Sequence, residues 1–520
     1  MSRTRRLVGG LAVLYGYQGL LILTGLWLTP FYLARIGQHD YGLWLMGTQL
    51  LTYLTLTDFG VVALLPIETA YATGRAGGAD KAADLPEIIG QTVRIVMYQL
   101  PIVLIVALAM WLSIPAGWQG LKGPLGVVLL TFVVGFPLRI LPALLQGLQD
   151  LTFANGLQTF AWALGTGSTV LMVLANWSLY ALALGWLISQ FALAPIAIYR
   201  LMTRFPGVLP RKLPPLAWNA ARTQLGKGFW ISVAQVAQLL TTATDLLILG
   251  RVLGPAAVVP YSCTGKLPGV LGNQATILMH TAGPAICELR TGETRQRVFQ
   301  AMAALSQGLL TFSGLVFCVV LVVNHWFVNW WVTARQYGGL PLTVVILLTM
   351  LIRHFTMTTG YIVFFFGHQR RISLTNLADG LVTAGCCFVL TAFWGGIGTA
   401  AGLGAGAVLV SLPLNLHRIA LDTESNWFEL LRAMSSGWFS RFVLLAAAAA
   451  FVASRWSPKN LFEGAAASVC VAAIYSLVML PNILHSTLGN YIRPLASAFR
   501  EKFTGLPQGS QPEPEQTSVR

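Results

Sequence analysis

Charge is what this sequence has least of. Lys, Arg, Asp and Glu make up 10% of 520 residues, and only 18 residues are acidic; an ordinary soluble domain carries about 25% charged residues. So few solvating groups cannot coat a soluble protein of this size, and the soluble class is excluded. The weak alternation of a membrane β-barrel is also missing, so the apolar runs are expected to be helices. Six cysteines (Cys263, Cys287, Cys318, Cys386, Cys387 and Cys470) lie in or beside apolar runs without a CxxC pair or metal-ligand spacing. They read as small apolar residues, and neither a metal nor a cofactor is expected. The glycine-dense stretch from Gly395 to Gly406 has no Gly-Lys-Ser/Thr after it. Nucleotide hydrolysis is therefore unsupported, and close helix packing is the better explanation. The first apolar run follows Arg3, Arg5 and Arg6, is too long for a signal peptide and lacks an A-x-A exit, so it is expected to stay as an uncleaved span.

What is abundant is apolar surface. Hydrophobic residues make up 55% of the chain, enough for about fourteen spans of about 20 residues. Runs bounded by charges or Pro/Gly clusters fall at 7–33, 42–66, 93–115, 124–148, 155–175, 179–201, 227–250, 257–282, 298–323, 339–366, 374–394, 396–417, 438–455 and 464–486. The aromatic residues gather largely near run ends, as interfacial belts do. With the N-terminus placed inside, 24 basic residues fall in inner segments, six in outer loops and three within spans. That asymmetry puts both termini in the cytoplasm. It also accounts for the net charge of +15 through basic loops facing anionic membrane lipids, with no nucleic acid needed.

The chain also has an internal order. The segment 202–226 holds Pro206, Pro210, Pro214 and Pro215, four basic residues and no acid. It reads as a cytoplasmic linker between an N-terminal six-helix lobe, 1–201, and a C-terminal six-helix lobe, 227–417. An additional helix pair follows at 418–486, and then a tail, 487–520, expected to be largely disordered because it has little to bury. The exit from the first span, Gly37-Gln-His-Asp-Tyr-Gly42-Leu-Trp44, aligns with Gly254-Pro-Ala-Ala-Val-Val259-Pro-Tyr261 after the seventh, glycine and aromatic at equal offsets. Span n then corresponds to span n+6. Six being even, the lobes share one orientation about a pseudo-two-fold axis along the membrane normal.

The stretch Leu33-Ala-Arg-Ile-Gly-Gln-His-Asp-Tyr-Gly-Leu-Trp44, continuing to Thr57-Asp58-Phe59-Gly60, resembles the start of bacterial polysaccharide-biosynthesis proteins, the oligosaccharide flippases. Asp245-Leu-Leu-Ile-Leu-Gly250 and Leu253-Gly-Pro-Ala-Ala-Val, with Tyr261, Lys266 and Leu267, resemble the same family. Val259 stands where that family usually has glycine, and Pro260 follows it, which puts the local turn in question. These flippases belong to the multidrug/oligosaccharidyl-lipid/polysaccharide exporter superfamily. The resemblance implies a MATE-like, all-α polytopic core, here with two extra C-terminal helices. It further implies a protein of the bacterial inner membrane that moves lipid-linked oligosaccharides outward, working with polysaccharide assembly proteins.

An ionisable group inside a bilayer needs a partner, a wet cavity or a function. The three basic residues within spans are Arg139, Lys266 and Arg353. Under the six-span repeat Arg139 and Arg353 are equivalent. A lipid carrier's pyrophosphate is anionic and matches guanidinium forks, so these two, with Lys266, are the expected substrate-binding residues. The competing reading ties each arginine to an intramembrane acid or to carbonyls freed by prolines such as Pro137 and Pro142. Asp58 and Asp245 are candidates for gating or ion coupling. So are Asp379, which could equally be a helix N-terminal acid, and the titratable His280 and His354. Gln146, Gln149, Asn155, Gln158, Gln235, Gln238 and Asn273 could face a glycan. Two other functions compete. A multidrug exporter of the same superfamily would prefer an acidic lumen, whereas here three acids are matched by three bases. A membrane-embedded polysaccharide polymerase or glycosyltransferase would need a substantial outer catalytic loop, and the longest one, about 324–338, has one arginine and no acid. The chain is therefore expected not to be an enzyme.

Overall fold

The computed structural model describes residues 3–489 apart from 79, 80, 211, 217, 293 and 436. Among the described residues there are helices and no strands. They run α1 (Arg3–Arg35), α2 (Gln38–Leu54), α3 (Val61–Ala76), α4 (Leu85–Leu112), α5 (Gln119–Gly135), α6 (Ile140–Gly147), α7 (Leu151–Leu174), α8 (Ser178–Arg204) and α9 (Trp218–Thr242). Then follow α10 (Asp245–Leu253), α11 (Pro255–Gly292), α12 (Arg295–Trp331), α13 (Leu340–Phe365), α14 (Gln369–Gly406), α15 (Leu412–Thr423), α16 (Trp427–Ser435), α17 (Trp438–Arg455) and α18 (Leu461–His485). Nine of the described helices are long and apolar enough to cross a membrane, or eleven when each of two bent pairs counts as one span. The continuous stretch 369–423 contains two of the expected runs, because the chain doubles back at Gly395 (φ 58°, ψ −136°). The expected runs 7–33 and 257–282 coincide with α1 and α11. Every apolar run is thus helical, in a multi-pass membrane protein.

The glycine-dense stretch packs as its composition suggests. After the reversal at Gly395, Gly398 passes the backbone of Leu390 and Gly402 passes Cys387, too close for a Cβ at either glycine. Small residues let two membrane helices approach in this way, where no hydrophobic effect draws them together.

Two boundaries differ from expectation, and one questioned turn keeps its form. Helix α12 runs on through 324–331, which had read as an outer loop. Asn324 Nδ2 donates to the Thr264 carbonyl (3.0 Å) and Thr343 Oγ1 (3.2 Å), and Trp326–Trp330 and Phe327–Trp331 stack one turn apart. Local pairs of that kind carry a helix through residues that lack an apolar periodicity. The connector after the twelfth expected span contains α16, with Leu430 and Met434 buried and Trp427 and Phe428 exposed. That one-sided pattern is the kind an amphipathic helix at a membrane surface has. The turn around Val259 is not altered: Gly254 (φ 90°, ψ 162°) repeats Gly37 (φ 93°, ψ 162°), and a helix starts at the next residue in both places. The two repeat exits pack on each other, Gln38 Nε2 donating to the Ala256 carbonyl at 2.8 Å. The tail, past its first three residues, lies outside the described residues.

By internal contacts the chain falls into two compact units. The first comprises 1–270, 324–349 and 369–411, and the second 271–323, 350–368 and 412–520. The core of the first is a continuous apolar cluster including Leu43, Met46, Leu54, Leu85, Leu121, Phe136 and Leu144. In the second, the added helices α17 and α18 are fastened by polar and aromatic contacts. Trp438 stacks on Phe442 (4.4 Å between ring centres) and donates through Nε1 to the Tyr475 hydroxyl (3.0 Å). Phe317 meets Phe442 edge-on at 5.2 Å. Gln307 donates to the Ala433 carbonyl (2.6 Å) and accepts from Thr487 Oγ1 (2.9 Å).

Candidate functional site

The site begins with two prolines. Pro137 has no backbone N–H to give, and Pro142 cannot donate to the carbonyl of Leu138, so the fourth span cannot remain a continuous α-helix. It passes instead through a tighter 3-10 turn, Phe136–Arg139, between α5 and α6. Arg139 is the last residue of that turn.

The second span breaks too. The 3-10 turn Thr55–Asp58 ends α2, Phe59 and Gly60 take positive φ (47° and 70°), and α3 leaves at 54° to the first half. Asp58 holds this break together. Its Oδ1 accepts from the Gly60 N–H (2.9 Å), and its carbonyl accepts from Gln99 Nε2 (3.0 Å). Any Cβ on Gly60 would run into the carbonyl oxygen of Gly228 on α9, so glycine is required there by both conformation and space. The Asp58 carboxylate is then free to turn its other oxygen to Arg139, Oδ2 lying 3.3 Å from Nη2. Asp58 is almost fully buried (3% side-chain exposure), whereas Arg139 keeps 30%. The guanidinium packs over Phe132 and Phe136, 5.4 and 5.6 Å from the ring centres.

Both members of this pair line a cavity of about 840 Å³ inside the first unit. They are the only charged residues among its described lining residues. The rest of the wall carries amides (Gln146, Gln158, Gln190 and Gln235), hydroxyls (Thr166, Thr169 and Ser189) and indoles (Trp44, Trp162 and Trp186). Nη1 of Arg139 and Oε1 of Gln235 are buried without a hydrogen-bond partner among the described residues. A buried polar atom left unmatched costs about 1–3 kcal/mol, and such a cost is one that a ligand can relieve.

The structure thus realises the competing reading for Arg139, a tie to an intramembrane acid, and places the same arginine on a polar cavity. Of the seven glycan-facing candidates, Gln146, Gln158 and Gln235 line it. Lys266 does not; its ammonium lies beside Gly25 of α1. Asp245 opens α10 at the second broken span, where α9 and α10 meet at 44°. An acid in a first helical turn is favoured by the helix dipole, and Tyr53 reaches this break through Thr244 Oγ1 (2.5 Å). Asp379 is not at a helix N-terminus. It lies well inside α14, 3% exposed, accepting from Thr383 Oγ1 (3.0 Å) and from Ser411 Oγ (2.5 Å), which the π-helical turn 407–411 presents. Arg353 and His354 belong to the second unit, on α13. His354 is buried, with Nδ1 2.7 Å from Ser313 Oγ, the satisfied polar histidine of the simpler reading. The side chain of His280 lies outside the described residues.

Two features were missed. Trp44 was read only as part of the exit motif, and Trp162 and Trp186 were not singled out, yet all three line the cavity. In the second unit, His368 Nε2 and Arg418 Nη2 both meet Asp422, at 2.9 and 2.7 Å. The pairing of Arg418 with Asp422 had a signal, an i, i+4 spacing; the approach of His368 had none.

Comparisons with known proteins come to the same place. Residues 91–335 match the family described as "Polysaccharide biosynthesis protein". No curated protein matches the chain. Among solved structures it is similar to the lipid II flippase MurJ in its inward closed conformation, at 8% identity and a TM-score of 0.65. That match covers 92% of this chain and 99% of the other. It is also similar to the MATE multidrug transporter DinF-BH (13% identity, TM-score 0.55, covering 79% and 93%). A third similarity is to the Vibrio cholerae MATE transporter VcmN (12% identity, TM-score 0.52, covering 82% and 99%). Over 91–335 the chain matches the polysaccharide biosynthesis proteins that its motifs resemble, and it has the fold shared by flippases and transporters of the multidrug/oligosaccharidyl-lipid/polysaccharide exporter superfamily.

Proposed function

We propose that this protein is a flippase of the bacterial inner membrane, with both termini cytoplasmic, that translocates an undecaprenyl-pyrophosphate-linked oligosaccharide outward for surface polysaccharide synthesis. The observation that carries the reading is Arg139, a guanidinium on a polar intramembrane cavity whose Nη1 is unpartnered among the described residues. Guanidinium binds phosphate oxygens in bidentate fashion, and in a dry site such a bond is worth more than in water. In this reading Arg139 holds the pyrophosphate, and Arg353 and Lys266 are further substrate-binding cations. The lobes 1–201 and 227–417 alternate about it, and Asp58, Asp245 and Asp379 serve gating or ion coupling. A membrane-embedded arginine retained only for stability would be replaced at little cost by an apolar residue together with its acid.

The experiment is transport in proteoliposomes. A fluorescent undecaprenyl-pyrophosphate oligosaccharide is flipped by the parent, and Arg139→Ala and Arg353→Ala each lower the initial rate about tenfold, the equivalent of about 1.4 kcal/mol. Equal rates in all three would remove the phosphate reading. The likeness to MATE transporters makes export of cations such as ethidium the competing activity, and ethidium movement without lipid flipping would establish it.

A further inference from the structure

The uncharged part of the cavity wall has its own order. On α7, Gln158, Trp162 and Gly165 follow one another at four- and three-residue intervals, and on α8 Gly185 and Ser189, like Trp186 and Gln190, lie four residues apart, with Trp186 and Ser189 three apart. Residues so spaced share a helix face. The two faces meet where Gly165 and Gly185 cross. A Cβ on either would collide with the other's carbonyl oxygen, and with Ser189 or Thr169. Close approach of these backbones brings two indoles onto one wall. Trp162 stands at the middle of α7, far from the interfacial level where membrane tryptophans usually gather. Both indoles are half-buried and border the cavity, while Gln158 and Gln190 are exposed into it.

An uncharged wall of indoles, primary amides and a hydroxyl does not suit a phosphate, which needs cations, or a lipid tail, which needs no hydrogen bonds. It suits a ring with an apolar face of C–H groups and a rim of hydroxyls. The indole face covers the C–H surface, and each amide offers two donors and an acceptor to the rim. From this juxtaposition we infer that the α7–α8 face is a pyranose-binding subsite, in which Trp162 and Trp186 stack on sugar rings while Gln158, Ser189 and Gln190 bind their hydroxyls. The subsite rests on the proposed flippase reading and adds to it a division of labour. The Asp58–Arg139 end handles the charge of the carrier, and the α7–α8 face handles its glycan.

The division is testable by binding alone. The purified full-length chain in nanodiscs is titrated by thermophoresis with undecaprenyl-pyrophosphoryl-N-acetylglucosamine and, separately, with sugar-free undecaprenyl pyrophosphate. The parent binds the sugar-bearing lipid about tenfold more tightly, and Trp162→Leu/Trp186→Leu abolishes that preference while changing the affinity for the sugar-free lipid by less than about twofold. Trp162→Phe/Trp186→Phe, which keeps a ring to stack, retains most of the preference. If the double leucine variant does not fold, Trp186→Leu alone carries the comparison. The subsite is overturned by a preference that survives the leucine variants, by equal weakening of both lipids, or by a parent with no preference. Failure of the flippase reading looks different: the parent then binds neither lipid, and both ideas fall. Arg139→Ala weakening both lipids by one factor supports the division.

Discussion

The sequence aligns the fourth span with the tenth, and each carries one arginine, yet their backbones differ. Around Arg139 the helix is interrupted by a 3-10 turn, and the side chain is paired with Asp58 of another broken span. Around Arg353 the helix α13 is continuous, with no proline after Pro341. The contrast lies in sequence, Pro137 and Pro142 on one side against Thr and Leu on the other. It teaches that an arginine at an aligned position need not bring the same backbone with it. At Arg139 the break frees the backbone and sets the side chain against Asp58.

The largest effect that would test this difference is on stability. Removing one member of a buried pair strands the other, at about 3–5 kcal/mol. Asp58→Ala should therefore lower the thermal midpoint in detergent sharply, as should Arg139→Ala. The neutral pair Asp58→Asn/Arg139→Gln should recover most of the loss; a double variant as unstable as the singles would show that the pair is not the reason. Next comes Gly60→Ala, which forces a side chain into positive φ and against Gly228. The expected cost is about 1–3 kcal/mol, read in the same unfolding measurement, and an unchanged midpoint would mean that the break at Asp58 is not required.

A smaller effect belongs to the prolines. Pro137→Ala/Pro142→Ala should let the fourth span close towards a regular helix and slow lipid flipping by roughly threefold, under 1 kcal/mol. The same rate as the parent would show that the break does not position Arg139. Smallest is Lys266→Ala, expected to slow flipping by about twofold, since the lysine lies beside Gly25 and its long stem lets it reach the interface. A loss as large as that of Arg139→Ala would move the centre of the site towards the eighth span.

The spans were legible because apolar length is a property of local sequence, and so was the likeness of the two span exits, since Gly37 and Gly254 need the same backbone that few other residues adopt. The reading of Arg139 was half legible. Its depth and its flanking prolines were visible, but its partner is 81 positions away in sequence, and only packing brings Asp58 to it. The helix N-terminal alternative for Asp379 failed because one of its donors, Ser411, comes from across the hairpin at Gly395, whose reversal hides inside an apolar run. The tryptophans were missed for a different reason. Composition assigns aromatics to interfaces, and only the three- and four-residue spacing with Gly, Ser and Gln on α7 and α8 marks Trp162 and Trp186 as facing inward.

The most direct measurement of the central claim is the affinity of the chain, in nanodiscs, for undecaprenyl pyrophosphate against undecaprenol, for the parent and for Asp58→Asn/Arg139→Gln, which holds no stranded charge. The account predicts that the parent prefers the pyrophosphate lipid by about tenfold or more, and that the neutral pair binds both lipids alike. A neutral pair that keeps the parent's full preference would contradict it.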